Sequence, residues 1–165
     1  MISLIEATRA HQGVLHNLMQ LYAYDWSELL PLELNTKGQF EDYPFEAYWI
    51  DDWRHPFLIE SDGKLAGFAL VLGKSRLSER DGVFDMAEFF VVRRHRRGGV
   101  GRDAALGLFD RFRGPWEVRQ RRENPSAMAF WRRVIGDYTA GEFEEVDWND
   151  ERWNGPVQSF SSLPP

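Results

Sequence analysis

The run Val91-Val92-Arg93-Arg94-His95-Arg96-Arg97-Gly98-Gly99-Val100-Gly101-Arg102 constrains this chain more than any other segment. Before it, Val83 to Val92 is a long β-prone stretch. After it, residues 101–113 place Ala104, Leu106, Leu108, Phe109 and Phe112 in a helical pattern. The chain must therefore pass from strand to helix through a glycine turn, where the backbone can bend tightly and approach a ligand closely. Unpaired N–H groups opening the helix point into that space, and the helix dipole favours an anion there. With Arg93, Arg94, Arg96 and Arg97 beside the turn, the segment reads as a pyrophosphate cradle. A Gly-rich strand–turn–helix alone is a weak signal. It is neither the dinucleotide fingerprint, whose glycines sit in a parallel βαβ unit, nor a P-loop, which needs Gly-Lys-Ser/Thr.

Charge sharpens the reading. Residues 1–92 carry 7 Lys/Arg against 15 Asp/Glu, a net of −8; residues 93–135 carry 12 against 4, a net of +8; residues 136–165 carry 1 against 7, a net of −6. One cationic block in an acidic chain points to a polyanionic ligand at one place, although several of its arginines need only decorate solvated helices. A nucleic-acid backbone would be repelled by the rest of the surface, so a small phosphorylated cofactor fits better. No cysteine is present, which excludes a disulfide framework, cysteine metal sites and a thiol nucleophile. His11, His16, His55 and His95 show no metal-ligand spacing, so no metal is expected. The start MISLIEATRAHQ lacks the pattern of a signal peptide, and the apolar runs are too short to span a bilayer. A cytoplasmic protein without a membrane partner is the expectation.

At 165 residues, with 43% hydrophobic content, the chain suits one domain, residues 1–165. Ile2 to Ala7 reads as a strand. Thr8 caps a helix over residues 9–24, and Phe45 to Trp53 suits a short helix. Phe57 to Glu60 and Leu65 to Gly73 flank Asp62-Gly63, a strong hairpin signal. Trp116 to Gln120 is a short strand. Asn124 and Pro125 open a last helix that Gly136 ends. Phe143–Val146 and Val157–Ser161 close the sheet, and the tail Ser161–Pro165 is expected to fray. The order β-α-α-β-β-β-α-β-α-β-β is that of an α+β domain with a mainly antiparallel sheet.

Arg96-Arg97-Gly98-Gly99-Val100-Gly101 resembles the Gln/Arg-x-x-Gly-x-Gly/Ala signature of the GNAT acetyltransferases. Ala87-Glu88-Phe89-Phe90-Val91 resembles their fourth strand, and Asn124-Pro125-Ser126-Ala127-Met128-Ala129-Phe130-Trp131 their Asn-x-x-Ala-x-x-x-Tyr helix. The match covers residues 83–136. It implies a sheet of six to seven strands with about four helices, splayed where acetyl-CoA binds. Val91 and Val92 would pair with the pantetheine arm as an added strand. N–H groups of Arg97, Gly98, Gly99, Val100, Gly101 and Arg102 would hold the pyrophosphate, with Arg96 in the signature position. Asn124 would lie near the arm, while its cap role accounts for it equally. The chain departs from the family at Trp131, where many members carry a tyrosine that protonates the leaving thiolate; an indole cannot, but it can pack on the arm. Tyr138 is expected outside the helix.

The implied function is transfer of acetyl from acetyl-CoA to a primary amine by direct attack in a ternary complex. The backbone N–H of Val91 is the candidate oxyanion donor. Glu88 is the candidate base, or else a charged residue paired with an arginine on the open sheet face. Asp25, Glu28, Glu33, Glu41, Asp42, Asp51 and Asp52, interleaved with Trp26, Tyr43, Trp49 and Trp53, suit a cationic acceptor, a small molecule or a protein amine. The same residues also suit an acidic surface over an aromatic core. Two alternatives stay open: an acyl-CoA-binding domain without catalysis, and an arginine-rich interaction module. The resemblance also allows a homodimer through the closing strands.

Overall fold

A computed structural model describes residues 1–163. Seven strands form one open sheet: β1 (Ile2–Glu6), β2 (Arg54–Ser61), β3 (Lys64–Lys74), β4 (Asp81–Val91), β5 (Pro115–Arg119), β6 (Glu144–Asn149) and β7 (Asn154–Ser161), in the order β1-β2-β3-β4-β5-β7-β6. Every neighbouring pair is antiparallel except β4 and β5. Three α-helices cover it: α1 (Gln12–Trp26), α2 (Val100–Arg111) and α3 (Pro125–Thr139). The helix read over residues 9–24 opens with a 3-10 turn, Arg9–His11, that leads into α1, and the short helix read over residues 45–53 is a 3-10 turn, Phe45–Trp49. None of the described helices is long and apolar enough to cross a membrane.

β3 reads Ala66-Gly67-Phe68-Ala69-Leu70-Val71-Leu72, and its apolar residues are buried because both sheet faces are covered. One face packs Phe68, Leu70, Leu72 and Phe90 against Leu15, Leu18 and Met19 of α1. The other packs Ala69, Val71, Met86 and Val91 against α2 and α3, with Phe109, Trp116, Trp131 and Ile135 at its centre. Fully burying a Leu or Phe side chain contributes ~1.5–3 kcal/mol, so these layers rather than helix propensity hold the helices in place. The Asp62-Gly63 turn forms as read, both residues at positive φ (51° and 73°), the backbone a two-residue hairpin needs.

Three local readings are corrected. α3 does not stop at Gly136 but runs to Thr139, where Ala140 (φ 53°) and Gly141 (φ 87°) take the left-handed conformations that end it. Tyr138 is therefore inside α3, its hydroxyl donating to Asp110 at 2.9 Å and its ring packed on Phe109. The tail expected to fray is tied down in part: Ser161 closes β7, and the buried Ser162 bonds to Gly114 in both directions through its N–H (2.9 Å) and Oγ (3.0 Å). Pro164 and Pro165 lie outside the described residues.

Candidate active site

Two features of β4 create the site. The register against β3 shifts between Leu70/Glu88 and Val71/Met86, so Ala87 is an extra residue, a bulge that turns the following segment. Beyond it, β4 and β5 part: only Phe84–Trp116 and Asp85–Glu117 pair, and Met86 to Val91 have no strand on that side. A cleft of about 750 Å³ opens there, bordered by Ala87, Glu88 and Phe89 of β4, Gln120 and Asn124 beyond β5, Trp131 of α3, Tyr22 and Trp26 of α1, and the segment 30–44.

The exposed backbone of β4 can be assigned by alternation. The Val92 N–H donates to Ala66 O at 2.8 Å, and the Phe90 carbonyl faces β3 so closely that a Cβ on Gly67 would lie 1.9 Å from it. Phe89 and Val91 therefore turn their backbone groups to the parted side. The Val91 carbonyl is not left open. It accepts from Arg96 Nε at 2.6 Å.

The glycine turn takes the strand-to-helix form read from the sequence. Gly99 caps α2 at φ 87°, a conformation that strains an L residue. A Cβ at Gly98 would meet nothing within 4 Å, while one at Gly101 would press at 3.3 Å on Phe130 of α3. Gly98 and Gly99 thus keep the mouth of α2 open, and Gly101 lets α2 approach α3. Nine of the twelve arginines between residues 93 and 135 form ion pairs with acids. Arg94, Arg97 and Arg133 have no described acid partner, and the first two flank the mouth of α2. Arg94, Arg97 and the first N–H groups of α2 could therefore hold a pyrophosphate. Arg96 and Arg93 are turned elsewhere, both onto Asp25 of α1. Burial raises the Asp25 carboxyl, but the hydrogen bonds of Arg96 and Arg93 outweigh it and hold it below the usual carboxylate range.

Glu88 stands across the fork from that mouth, on the α1 face. Burial is the largest influence on it and pushes it up to about 7, against the hydrogen bond of Tyr22 and the charges of Arg119 and Arg76. The Tyr22 hydroxyl lies against Glu88 and the Phe89 backbone and is itself raised by burial. Nothing in the helical pattern of residues 9–24 shows which residue of β4 Tyr22 meets, and the sequence carries no sign of this contact. Of the acids read as an acceptor surface, Glu33, Glu41 and Asp42 border the cleft with Trp26 and Tyr43. Asp25 and Asp51 are taken by arginines, and Trp49 donates to Gln12 at 2.6 Å away from the cleft.

Asn124 accepts from the Ala127 N–H at 3.0 Å, the cap, and also borders the cleft. Trp131 is buried, edge-on to Phe89 with ring centres 5.0 Å apart, and forms part of the cleft floor. Missed from sequence was Arg119, the guanidinium at the fork, which pairs with Asp85 and lies 4.4 Å from the centre of the Trp153 ring. Among the described residues no group of His, Cys, Asp and Glu could hold a metal.

No curated protein matches the chain in sequence. The family model described as the Acetyltransferase (GNAT) family matches residues 15–136. Among solved structures, an acetyltransferase from Thermus thermophilus superposes with TM-score 0.70 at 16% identity, covering 98% of this chain and 97% of that one. A spermidine N-acetyltransferase from Vibrio cholerae in complex with CoA and spermine gives 0.63 at 14% identity, with 98% and 95% covered. A probable acetyltransferase from Staphylococcus epidermidis gives 0.66 at 12% identity, with 99% and 100% covered. With the splayed fork, the glycine mouth of α2 and the match over residues 15–136, this chain belongs to the GNAT acetyltransferase family.

Proposed function

We propose that this protein transfers acetyl from acetyl-CoA to the amine of a cationic acceptor. The observation that carries the reading is the parting of β4 from β5 after Asp85–Glu117, with an open helix mouth on one side and Glu88 on the other. When bound, the thioester supplies an activated acyl carbon and a thiolate leaving group that is stable near neutral pH.

The protein's part is positioning and proton handling. Backbone groups of Phe89 and Val91 face the path of the arm; Val92, expected from the sequence to pair with it, instead gives its N–H to Ala66 of β3. Arg97, Gly98, Gly99, Val100, Gly101 and Arg102 would hold the phosphates, and Arg96 braces the turn through Asp25 and the Val91 carbonyl. The Val91 N–H faces the parted side and is the candidate oxyanion donor. Glu88, raised to about 7, is poised to take a proton from an ammonium near neutral pH, where a carboxylate of ordinary pKa is a poor base. Glu33, Glu41 and Asp42 border the cleft without ion-pair partners among the described residues, and Trp26 and Tyr43 offer aromatic faces, a set that favours a cation. The Vibrio relative's complex with spermine is consistent with such an acceptor. Trp131 supplies no acid, so leaving-group protonation falls to solvent.

The test is thiol release from acetyl-CoA across a panel of neutral and cationic amines. Turnover confined to cationic amines is expected. Equal turnover of both sinks the acceptor assignment. Tight CoA binding without turnover of any amine favours the non-catalytic acyl-CoA-binding reading.

A further inference from the structure

Gln120, the residue after β5, is 3% exposed, yet its side-chain Oε1 has no hydrogen-bond partner. Its orientation is dictated by a relay. Gln120 Nε2 donates to Gln158 Oε1 at 2.6 Å and to the Val118 carbonyl at 3.3 Å. Gln158 Nε2 donates to Glu145 Oε2 at 2.7 Å, and Arg132 clasps Glu145 with bonds of 2.9 and 2.6 Å. A carboxylate only accepts. Arg132, then Gln158, hold Glu145 in that form against the opposing pull of burial. Glu145 therefore requires the NH₂ of Gln158, Gln158 can show only its carbonyl to Gln120, and Gln120 must answer with its own NH₂. The carbonyl of Gln120 is left over at the inner end.

That leftover acceptor belongs to the cleft wall. Gln120 borders the cleft together with Trp153, whose Nε1 donates to the Gln120 carbonyl at 3.1 Å, while the Gln120 N–H donates to Pro156 O of β7 at 3.1 Å. Alternation along β5 sets it on the face of Trp116 and Val118, the α3 side, with Ala127 and Trp131 of α3 on the same cleft wall. Glu88 occupies the opposite, α1 side. A buried carbonyl without a donor costs free energy that a ligand N–H recovers.

We propose that Gln120 Oε1 accepts a hydrogen bond from an amide N–H of the pantetheine arm, with the Arg132–Glu145–Gln158 relay as the device that keeps the carbonyl facing it. The proposal rests on the donor assignment above. A carbonyl oxygen suits a neutral N–H and not a phosphate, which separates this contact from the arginine-flanked mouth of α2.

The test is calorimetric titration of wild-type protein, Gln120→Met and Glu145→Gln with CoA, and with adenosine 3′,5′-bisphosphate, which has the nucleotide but no arm. Gln120→Met is expected to bind CoA about tenfold more weakly, the loss of one hydrogen bond to a buried acceptor, and the bisphosphate as wild type does. Glu145→Gln, which gives up the surface ion pair to Arg132 and with it the constraint on orientation, is expected to lose a smaller factor of CoA binding and to add nothing to Gln120→Met in the double variant. Equal weakening toward both ligands, or unchanged CoA binding, overturns the proposal. Unchanged CoA binding with a raised KM for the amine overturns it in favour of the acceptor as the N–H source. Wild-type protein that binds CoA, with Gln120→Met binding it equally well, defeats the inference alone; wild-type protein that binds no CoA defeats the donor assignment with it.

Discussion

The Asp85 carboxylate, on the last residue of β4 that pairs with β5, accepts two hydrogen bonds from Arg119, each 2.9 Å long. Asp85 is fully buried and the Arg119 side chain nearly so, at 9% exposure. The pair sits where the two strands separate and ties their α1-side faces together at the base of the cleft. A parallel pairing of only two residues is short for a site that must hold its shape, and this bidentate bridge reinforces it.

Removing one partner leaves the other charged and buried. Arg119→Met is expected to destabilise the fold by about 3–5 kcal/mol, whereas replacing both residues with apolar ones costs much less. Urea denaturation of the two single variants and the double variant measures the coupling.

Glu88 sets the pH dependence. With its folded pKa raised to about 7 from the ordinary carboxylate value, the base is protonated below neutrality. The acetylation rate is expected to fall about tenfold per pH unit below 7. Stability follows the opposite sense: the native state binds more protons than the unfolded chain between the two pKa values, so Glu88 weakens the fold as pH rises through that window. Glu88→Gln is expected to flatten the rate profile at a low level and to gain in Tm relative to wild type toward pH 7. An unshifted rate profile in Glu88→Gln rules it out as the base.

Gly99 is held at φ 87° at the mouth of α2. Gly99→Ala should cost about 1 kcal/mol through strain, because the left-handed region penalises a Cβ. Gly99→Glu adds a carboxylate where an anion would sit, and is expected to abolish CoA binding by calorimetry while circular dichroism stays native.

Asp25 reads as an acceptor acid in the sequence, but in the structure it grips Arg93 and Arg96, and Arg96 in turn grips the Val91 carbonyl. Asp25→Asn is therefore expected to act on the donor side. KM for acetyl-CoA should rise about tenfold, the equivalent of one charged hydrogen bond, with KM for the amine little changed. A rise confined to the amine KM returns Asp25 to the acceptor surface.

Gly99 and Gly101, the Asp62-Gly63 hairpin and the Asn124–Pro125 helix start were legible because each is a local rule: a φ value, a turn type, a cap satisfied within three residues. The β-prone stretch Val83 to Val92 also marked Glu88 as a strand residue ahead of the glycine turn. What could not be read was which charges meet. Asp25 and Arg96 are 71 positions apart, Asp85 and Arg119 34 apart, Gln120 and Gln158 38 apart, and no periodicity links them. The arginine block appeared as one polyanion site, and only folding showed that acids from other elements claim most of it. The sequence by itself determined the strand–turn–helix and the order of elements, since these follow from backbone sterics and short-range hydrogen bonds. The tertiary structure alone decided which carboxylate is desolvated, which arginines remain unpaired and which carbonyl is left over. Burial and partner geometry are properties of surfaces brought together across the chain, and they set both pKa and hydrogen-bond satisfaction.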